Sequence, residues 1–309
     1  MNNMTSMIRI HVWGGWNWYR TCLWAKEALE NAGFKVDFKW GREKSGIENT
    51  RLLVKGETDI TTTLPYGARL AYHAKGPYRG EKIPVASLAF VMHPFHWFVS
   101  AVTEECGLRS FRDIAEKKPP IRLAVPPEGY LTGFVYKQIF NYYGVSLYTD
   151  VATWGGKLST SHEKASSMII TGELDGIMRE ITPKGTLSVV GNIKKLRFLP
   201  MEEGLIHYLE ESCLVERDDI FVDAYPGVES PIPTVLSGDY PLIIRADLRE
   251  ELVYEIAKAL DQNSRTPYIT GDIFYSPKYA GLDYGVPLHP GAKRYYEEMG
   301  YYIGKKLPT

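Results

Sequence analysis

The beginning of the chain switches between two hydrophobic periods. Stretches in which apolar and polar residues alternate, as in a half-buried strand, are separated by stretches with the spacing of an amphipathic helix. The predicted elements are a strand at 8–13, a helix at 21–32, a strand at 34–40, a helix at 45–55 and a strand at 59–63. Gly33 and Gly56 end the two helices. Strands that alternate with helices of this length predict a parallel sheet covered by helices.

The same alternation continues through the middle of the chain. An apolar and aromatic run at 83–103 is long enough for two consecutive strands, and Ser110 is expected to cap a helix at 111–117. The elements predicted after it are a strand at 121–125, a helix at 132–143, a strand near 151, a helix at 161–171, strands at 175–178 and 196–199, and a helix at 201–210. The sequence contains no recognisable internal repeat.

A segment at 223–237, rich in Pro, Gly and acidic residues, interrupts this order. A strand at 240–244, a helix at 248–260 and a last helix from about Ala292 follow it. A chain of 309 residues suits two α/β domains. We predict lobe one at 1–100 and 232–309, with lobe two inserted at 101–231 and two crossing segments that form a hinge. Each lobe is predicted to be a mostly parallel sheet flanked by helices.

Composition narrows the function classes. The chain has 36 Lys and Arg against 37 Asp and Glu, which argues against a nucleic-acid partner because phosphate binding needs a basic surplus. No apolar run approaches the length that spans a bilayer. The cysteines Cys22, Cys106 and Cys213 have neither a disulfide framework nor zinc-ligand spacing, so buried free thiols are expected.

A series of short motifs runs in order along nearly the whole chain. They are Gly14-Gly15 with Tyr19, Gly46-x-Glu48-Asn49, Gly56-Glu57-x-Asp59-Ile60, Ala124-Val125-Pro126-Pro127-Glu128-Gly129 with Thr132, Gly172-Glu173-Leu174-Asp175-Gly176, Tyr225-Pro226-Gly227, Arg245-Ala246-Asp247-Leu248 and the string from Gly285 to Glu298. Together they resemble the TAXI family, the extracytoplasmic solute receptors of certain TRAP transporters. The resemblance implies the two-lobed type II periplasmic-binding-protein fold. It also implies a monomer that captures a small carboxylate for membrane transporter subunits, without catalysis, cofactor or metal.

The candidate polar contacts lie where predicted strands lead into helices. In open α/β sheets, ligands bind beyond the carboxyl ends of the strands, near helix N-termini. The polar candidates are Asn17, Asn49, Thr63, Thr132 and Arg179. Thr63 lies nearer to the loop than Thr61, which shares its strand face. Asn49 is preferred to Glu48 as a ligand contact, because the carboxylate of Glu48 would repel an anionic ligand.

Two of these residues have alternative roles. Thr132 would either cap its helix or touch a carboxylate. Arg179 is expected to end the strand at 175–178, where its guanidinium would either fork onto a carboxylate or pair with Glu180 or Glu173. The sequence leaves both alternatives open.

Four aromatic residues are candidate walls of a pocket. Trp16 and Tyr19 belong to a predicted loop at 14–19, and Tyr130 and Trp154 belong to two later loops. An aromatic residue in a loop has less core to fill than one in a strand, so a pocket wall and a packing anchor are both open. As walls, these rings favour a ligand with a flat or apolar portion.

A second hypothesis is a cytoplasmic enzyme or ligand sensor with the same fold. His93 and His96 stand close together near the expected hinge and would hold a metal or move protons. Residues 1–7 lack the pattern of a secretory signal, so either a signal was removed or the protein works in the cytoplasm. However, the sequence has no phosphate-binding loop, nucleophile elbow or HExxH motif.

Overall fold

The protein consists of two compact units in a computed structural model. The structure describes residues 7–42, 45–161, 163–183, 185–265, 268 and 273–305. Unit 1 contains the chain up to Pro94 and from Gly238 onward, and unit 2 contains Phe95–Ser237. The chain therefore crosses between the units twice, at 94–95 and at 237–238.

Unit 1 is built on a five-stranded sheet in the order β2-β1-β3-β13-β4, in which β13 is Leu242–Arg245. Its elements before the first crossing are β1 Met7–Trp13, α1 Trp16–Asn31, β2 Lys35–Gly41, α2 Gly46–Val54, β3 Ile60–Thr62, α3 Pro65–Tyr72, β4 Val85–Ala89 and β5 Val91–Met92. β1 pairs in parallel with β2 and β3, as the alternation of strands and helices predicts, whereas β13 pairs antiparallel with β3 and β4. The buried Ile8, Ile10 and Val12 of β1 form part of its core.

Unit 2 is built on a seven-stranded sheet with the main order β11-β12-β6-β9-β7-β8, and β10 pairs with β6. Its elements are β6 Trp97–Thr103, α4 Phe111–Lys117, β7 Arg122–Ala124, α5 Leu131–Tyr142, α6 Leu147–Thr153, β8 Lys157–Ser159, α7 Ala165–Ile170, β9 Gly176–Ile181, α8 Thr186–Gly191, β10 Leu196–Phe198, α9 Glu203–Cys213, β11 Glu216–Ile220 and β12 Ile232–Leu236. Among the described residues of unit 2, only β9, β7 and β8 pair in parallel. The other pairings are antiparallel, so this sheet is mixed rather than mostly parallel.

The chain completes unit 1 after the second crossing. The elements are β13 Leu242–Arg245, α10 Glu250–Gln262, β14 Phe274–Tyr275, β15 Gly281–Leu282, α11 Pro290–Glu298 and β16 Ile303–Gly304. The mixed α/β class, with helices flanking the sheets, is confirmed. Within the described residues, no helix is both long and apolar enough to cross a membrane.

Two segments have a different secondary structure from the one predicted, and each error has a physical cause. α1 begins at Trp16, so the predicted loop at 14–19 is mostly helix; its N-cap is Gly15, which lacks the side-chain signal that usually marks a helix start. The predicted strand near Val151 is helix α6. Leu147 and Val151 are both buried one turn apart, a helical spacing that a segment of seven residues shows only weakly.

The free cysteines agree with the sequence-based expectation only in part. Cys22 and Cys213 are buried, whereas Cys106 is partly exposed. Burial raises the pKa of the Cys213 thiol to about 12 and also raises that of Cys22. The reactive thiolate is therefore disfavoured at both buried positions.

The same side-chain clamp occurs in both units, although the sequence showed no internal repeat. In unit 1, the backbone N–H and Nε of Arg9 donate to Asp59 Oδ2 at 2.9 Å, Nη2 donates to Asp59 Oδ1, and Nη1 donates to Gly56 O. The Asp59 N–H donates back to Arg9 O at 2.8 Å. This clamp joins the starts of the parallel strands β1 and β3.

In unit 2, Arg122 makes the corresponding bonds. Its N–H and Nε donate to Asp175 Oδ2 at 2.8 and 3.0 Å, Nη2 donates to Asp175 Oδ1, and Nη1 donates to Gly172 O. Gly56 and Gly172 both have positive φ, at 63° and 79°, just after a helix. A Gly-Glu-x-Asp turn and one arginine therefore recur in the two units, while the surrounding residues differ.

The last helix begins with a histidine cap. α11 starts at Pro290, and Nδ1 of the buried His289 accepts a hydrogen bond from Gly291 N at 3.2 Å. Its Nε2 lies 3.0 Å from Leu248 O, which requires the proton on Nε2. The neutral ring thus satisfies a free N–H of the helix start.

We expect the protein to lose stability in mild acid because of His289. Burial lowers the pKa of His289 below its usual value, although the hydrogen bond to Leu248 acts in the opposite direction. The unfolded chain therefore binds the proton more readily, and stability present above about pH 6.5 is lost as the pH falls through the lower folded value. Melting temperatures across this range would show the loss, and the neutral cap in His289→Asn should flatten it. An equal slope in that variant would contradict the assignment.

Candidate functional site

The carboxyl ends of the parallel strands in unit 1 lead into helices, as the sequence predicts. β1 ends at Trp13 before α1, and β3 ends at Thr62 before α3. Helix N-termini carry free N–H groups and the positive end of the helix dipole. An anion would therefore bind most favourably at this edge of the sheet.

Asn49 holds the ends of β1 and β3 together. Its Oδ1 accepts from Trp13 N at 2.7 Å, and its Nδ2 donates to Trp13 O and Thr62 O, both at 3.0 Å. Both amide protons are therefore used on backbone carbonyls, and the side chain is fully buried. As a ligand contact, Asn49 has only acceptor capacity left on Oδ1.

The three threonines of β3 and its exit differ in their bonding. Thr62 Oγ1 donates to Pro241 O at 2.9 Å. Thr61 and Thr63 are fully buried, and neither hydroxyl has a hydrogen-bond partner in the described parts of the chain. Buried hydroxyls are normally paired, so these two are candidates for a bond to a ligand.

Trp16 and Tyr19 lie on the first turn of α1 rather than in a loop. Their rings stack at 5.1 Å between centroids, and Tyr19 packs at 4.6 Å against Trp40 of the edge strand β2. Trp16 is 55% exposed and Trp40 is 37% exposed. The rings form a half-open aromatic surface at the carboxyl edge of unit 1, next to the partly exposed Asn17.

In unit 2, the candidates Tyr130 and Thr132 lie at the start of α5. Tyr130 occupies the N-cap position without a side-chain cap bond, so of the two roles left open for Thr132 the helix cap is not observed. The buried Thr132 is the second helical residue. A Cβ on the next residue, Gly133, would lie 2.0 Å from Pro127 O, so glycine allows the helix start to pack against the preceding loop.

Arg179 lies inside β9, which extends to Ile181, so the prediction that it ends a strand is wrong. β7 pairs with β9 only up to Ala124↔Ile177, and Arg179 therefore lies beyond the carboxyl end of β7. Its Nε is buried without a hydrogen-bond partner in the described chain, and no ion pair there joins it to Glu180 or Glu173. The salt-bridge alternative is not observed.

Trp154 does not lie with the other unit 2 candidates. It follows α6 and precedes β8, and Gly156 and Lys157 pack against Ile121 at the start of β7. Since β7 and β8 are parallel, this is the amino edge of the sheet. Thr132 and Arg179 lie at the carboxyl edge, so the predicted wall from Trp154 is wrong for their site.

His93 and His96 belong to different units. His93 packs at 4.9 Å against the ring of Tyr240, and its N–H donates to Asp239 Oδ1 at 2.5 Å. No group of His, Cys, Asp or Glu suited to a metal ion occurs among the residues that the structure describes. Neither histidine gains support for a metal site or proton transfer.

Two surface depressions lie away from the carboxyl edges. One, of about 300 Å³, is at the amino edge of unit 1 and is lined by Met7, Ile8, Arg9, Asp59, Arg245, Asp247, Leu248, Arg249 and Leu252. The other, of about 360 Å³, lies on unit 2 and is lined by Arg112, Ala115, Glu116, Tyr142 and Tyr143. Their charged groups are largely paired with one another, as Arg9 is with Asp59.

Sequence reasoning missed Glu180 and Tyr136 as candidate site residues. Glu180 Oε2 is buried without a partner in the described chain. The Tyr136 hydroxyl lies 2.8 Å from Val99 O and 3.1 Å from Arg179 O, and it ties α5 to the sheet where the candidates lie. The signal for Glu180 was present, because two adjacent charges interrupt the apolar strand Gly176–Ile181.

These features define a mixed α/β protein with its candidate polar groups at the carboxyl ends of parallel strands. The chain belongs to the NMT1-like family, whose family model matches residues 23–300. No curated protein sequence matches the chain. The resemblance to the TAXI group stays a prediction within this finding.

Several solved binding proteins are similar to the chain. The alkanesulfonate-binding protein SsuA of Xanthomonas axonopodis pv. citri, bound to MOPS, is 14% identical with a TM-score of 0.44 over 84% of this chain and 73% of SsuA. PhnD1 of Prochlorococcus marinus, in complex with methylphosphonate, is 14% identical with a TM-score of 0.49 over 84% and 83%. A TRAP periplasmic solute binding protein of Rhodobacter sphaeroides is 11% identical with a TM-score of 0.40 over 84% and 76%. Likenesses of this size do not identify a ligand.

Proposed function

We propose that the protein is a solute receptor that captures a small organic acid and releases it chemically unchanged. The observation that carries this proposal is the set of buried polar atoms without partners at the carboxyl edges, namely Thr61 and Thr63 Oγ1 in unit 1 and Arg179 Nε in unit 2. An unpaired buried polar group costs about 1–3 kcal/mol. A ligand that supplies the missing partners recovers this free energy on binding.

An acid is the ligand chemistry that best fits these atoms. Arg179 presents a guanidinium, which binds carboxylates in a forked, charge-assisted geometry. The threonine hydroxyls can donate to the same class of oxygen acceptor. Helix α3 starts at Pro65, two residues after Thr63, and the residues after Pro65 in its first turn add free N–H groups. All of these groups favour an anionic oxygen.

The aromatic surface favours a solute with a flat or apolar portion. Trp16 and Tyr19 present stacked rings at the carboxyl edge of unit 1, and Tyr130 stands at the corresponding edge of unit 2. Aromatic faces bury apolar surface and stack with planar groups. We propose these three residues as walls, with Asn17, Asn49 and Thr132 as neighbouring polar residues.

We further propose an extracytoplasmic location and delivery to the membrane subunits of a TRAP-type transporter. The support is membership of the NMT1-like family together with the TAXI-like motifs. Hinge closure around the solute, predicted from the sequence, stays a prediction. Cell fractionation and uptake assays in a strain lacking the protein test the location and the delivery.

Thermal-shift screening tests the receptor and the role of Arg179 together. Mono- and dicarboxylates, amino acids and aromatic acids are the panel, because a ligand bound only by the folded state raises the melting temperature. For any acid that binds, we expect Arg179→Ala to weaken binding by about tenfold or more, since a charge-assisted pair is lost. The melting temperature of the ligand-free variant should change little, because Arg179 Nε has no partner to lose in the described chain.

Exposed Arg109 of the same unit supplies the matched control. Arg109→Ala should keep the wild-type shift, and Arg179→Lys should keep part of it through its charge. An unaltered shift in Arg179→Ala would remove this residue from the site. Recovery of a chemically altered solute, detected by mass spectrometry, would overturn the receptor proposal in favour of an enzyme.

A further inference from the structure

Glu180 faces the layer between the sheet of unit 2 and helix α5. It lies in β9 opposite Phe98 of β6, and adjacent residues of a strand point to opposite sheet faces. Phe98 packs against Tyr136 of α5 at 5.7 Å, which identifies the face that α5 covers. Arg179 therefore points to the other face, where Ile177 and Ile181 join the hydrophobic core.

Glu180 is also close to the carboxyl edge of the sheet. The Tyr136 hydroxyl contacts the backbone carbonyl of Arg179. Glu180 is the next residue of β9, one position nearer to the carboxyl edge. Helix α5 begins at this edge and runs away from it. Thr132 therefore lies one turn nearer to the edge than Tyr136, on the same helix face. Thr132 and Glu180 are thus both placed on the edge side of Tyr136.

The carboxylate of Glu180 lacks a donor within this layer. Its Oε2 is buried and has no hydrogen-bond partner among the residues that the structure describes. The neighbouring tyrosines have committed their protons, since Tyr136 donates to backbone carbonyls and Tyr148 donates to Pro126 O at 2.7 Å. Neither tyrosine can donate a hydrogen bond to Glu180 without losing the one that it already makes.

The charge of Glu180 acts on both tyrosines, which supports its position. Burial raises the pKa of Tyr136 well above its usual value, the hydrogen bond with Ser100 lowers it, the charge of Glu180 raises it, and the charge of Arg179 lowers it. Burial likewise raises the pKa of Tyr148, with additional contributions from Glu128 and Glu180. Glu180 is therefore within electrostatic range of both rings.

We infer that Glu180 binds a protonated nitrogen of the solute, so that the captured acid also carries an amine. A carboxylate only accepts hydrogen bonds, and a charged donor offsets its burial better than a neutral hydroxyl does. The inference rests on the proposed solute receptor and narrows its ligand class from organic acids to amino acids and related zwitterions.

Matched ligand sets test this inference by calorimetry. One set is phenylalanine, 3-phenyllactate, 3-phenylpropanoate and phenethylamine, and the other is glutamate, 2-hydroxyglutarate, glutarate and butylamine. We expect the amine-bearing acids to bind at least about tenfold more tightly than the amine-free acids, as expected for a charge-assisted pair. Glu180→Gln should abolish that preference by weakening binding of the amine-bearing acids, and it should not weaken binding of the amine-free acids, because it removes a carboxylate that repels an anion; Glu173→Gln, at an exposed position, should change neither affinity.

The outcomes separate this inference from the receptor proposal. Binding of the acids with no preference for the amine, or a preference that survives in Glu180→Gln, overturns the role of Glu180 and leaves the receptor standing. Binding of the amines alone, lost in Glu180→Gln, supports Glu180 and overturns the acid. Absence of binding by every amine-bearing compound overturns the inference.

A ligand-free measurement tests the same residue independently. Because its buried Oε2 has no partner in the described chain, Glu180→Met should raise the melting temperature of the ligand-free protein by about 2 °C or more. If Glu180 instead stabilised the fold, its replacement would lower the melting temperature. A lower melting temperature in Glu180→Met would show that Glu180 is paired within the protein and would overturn its assignment to the solute.

Discussion

Replacing Asp59 with alanine is expected to lower the free energy of unfolding by about 3 kcal/mol. The Asp59 side chain is only 5% exposed, and it accepts from Arg9 Nε at 2.9 Å, from Arg9 N at 2.9 Å and from Arg245 Nη1 at 3.4 Å. The substitution leaves two guanidinium groups and a backbone N–H without this partner. We place the loss at the low end for a buried pair, because Arg9 is itself 35% exposed. Urea unfolding with an unchanged slope would measure it.

The repeated clamp supplies a matched control for this prediction. Asp175→Ala removes the same set of bonds from Arg122 in unit 2. The Asp175 side chain is 19% exposed, Arg122 is 41% exposed, and no second arginine bonds to Asp175 within the described residues. Water screens such a pair, so we expect a loss of about 1 kcal/mol. Equal losses for the two variants would contradict the argument from burial.

The clamp shows what the sequence could and could not reveal about the fold. The Gly-Glu-x-Asp turns at 56–59 and 172–175 are visible in the sequence. Their partners, Arg9 and Arg122, stand about fifty residues upstream in otherwise different strands, so no repeat is detectable by residue identity. The alternation of strands and helices predicted the parallel strands of each sheet. It could not predict that β10, β11 and β12 would complete the second sheet antiparallel, because hydrophobic period carries no information on strand direction.

The candidate site was predictable in its position but only partly in its residues. The rule that ligands bind beyond the carboxyl ends of parallel strands located Thr63, Thr132 and Arg179. The same reasoning treated Trp154 as a loop residue near them. It took the segment near 151 as a strand, whereas this segment is helix α6. Glu180 was considered only as a partner for Arg179. Strand alternation separates the two side chains onto opposite faces, a consequence that follows once β9 is known to extend to Ile181.

Asn49→Ala is expected to lower both stability and solute affinity, by about 3 kcal/mol in the free energy of unfolding. Its side chain makes three bonds of 2.7–3.0 Å to the backbone of Trp13 and Thr62, so the change leaves three backbone groups of β1 and β3 unpaired in the interior. Solute affinity should fall because Thr61 and Thr63 lie at the strand end that Asn49 holds. Urea unfolding and calorimetry on the same preparations would measure the two effects.

Asn49→Asp separates the structural role from a direct ligand contact. Aspartate keeps an acceptor for Trp13 N but replaces the amide donor with a second oxygen, which repels the carbonyls of Trp13 and Thr62, so stability should fall as it does in Asn49→Ala. Thr50, the next residue, bonds to Tyr78 and Ile47 instead, and Thr50→Val should therefore destabilise α2 without weakening solute binding. If Asn49 serves only the ligand, both of its variants will unfold at the wild-type urea concentration while losing affinity. That result would reassign Asn49 from holding the strand ends to contacting the solute.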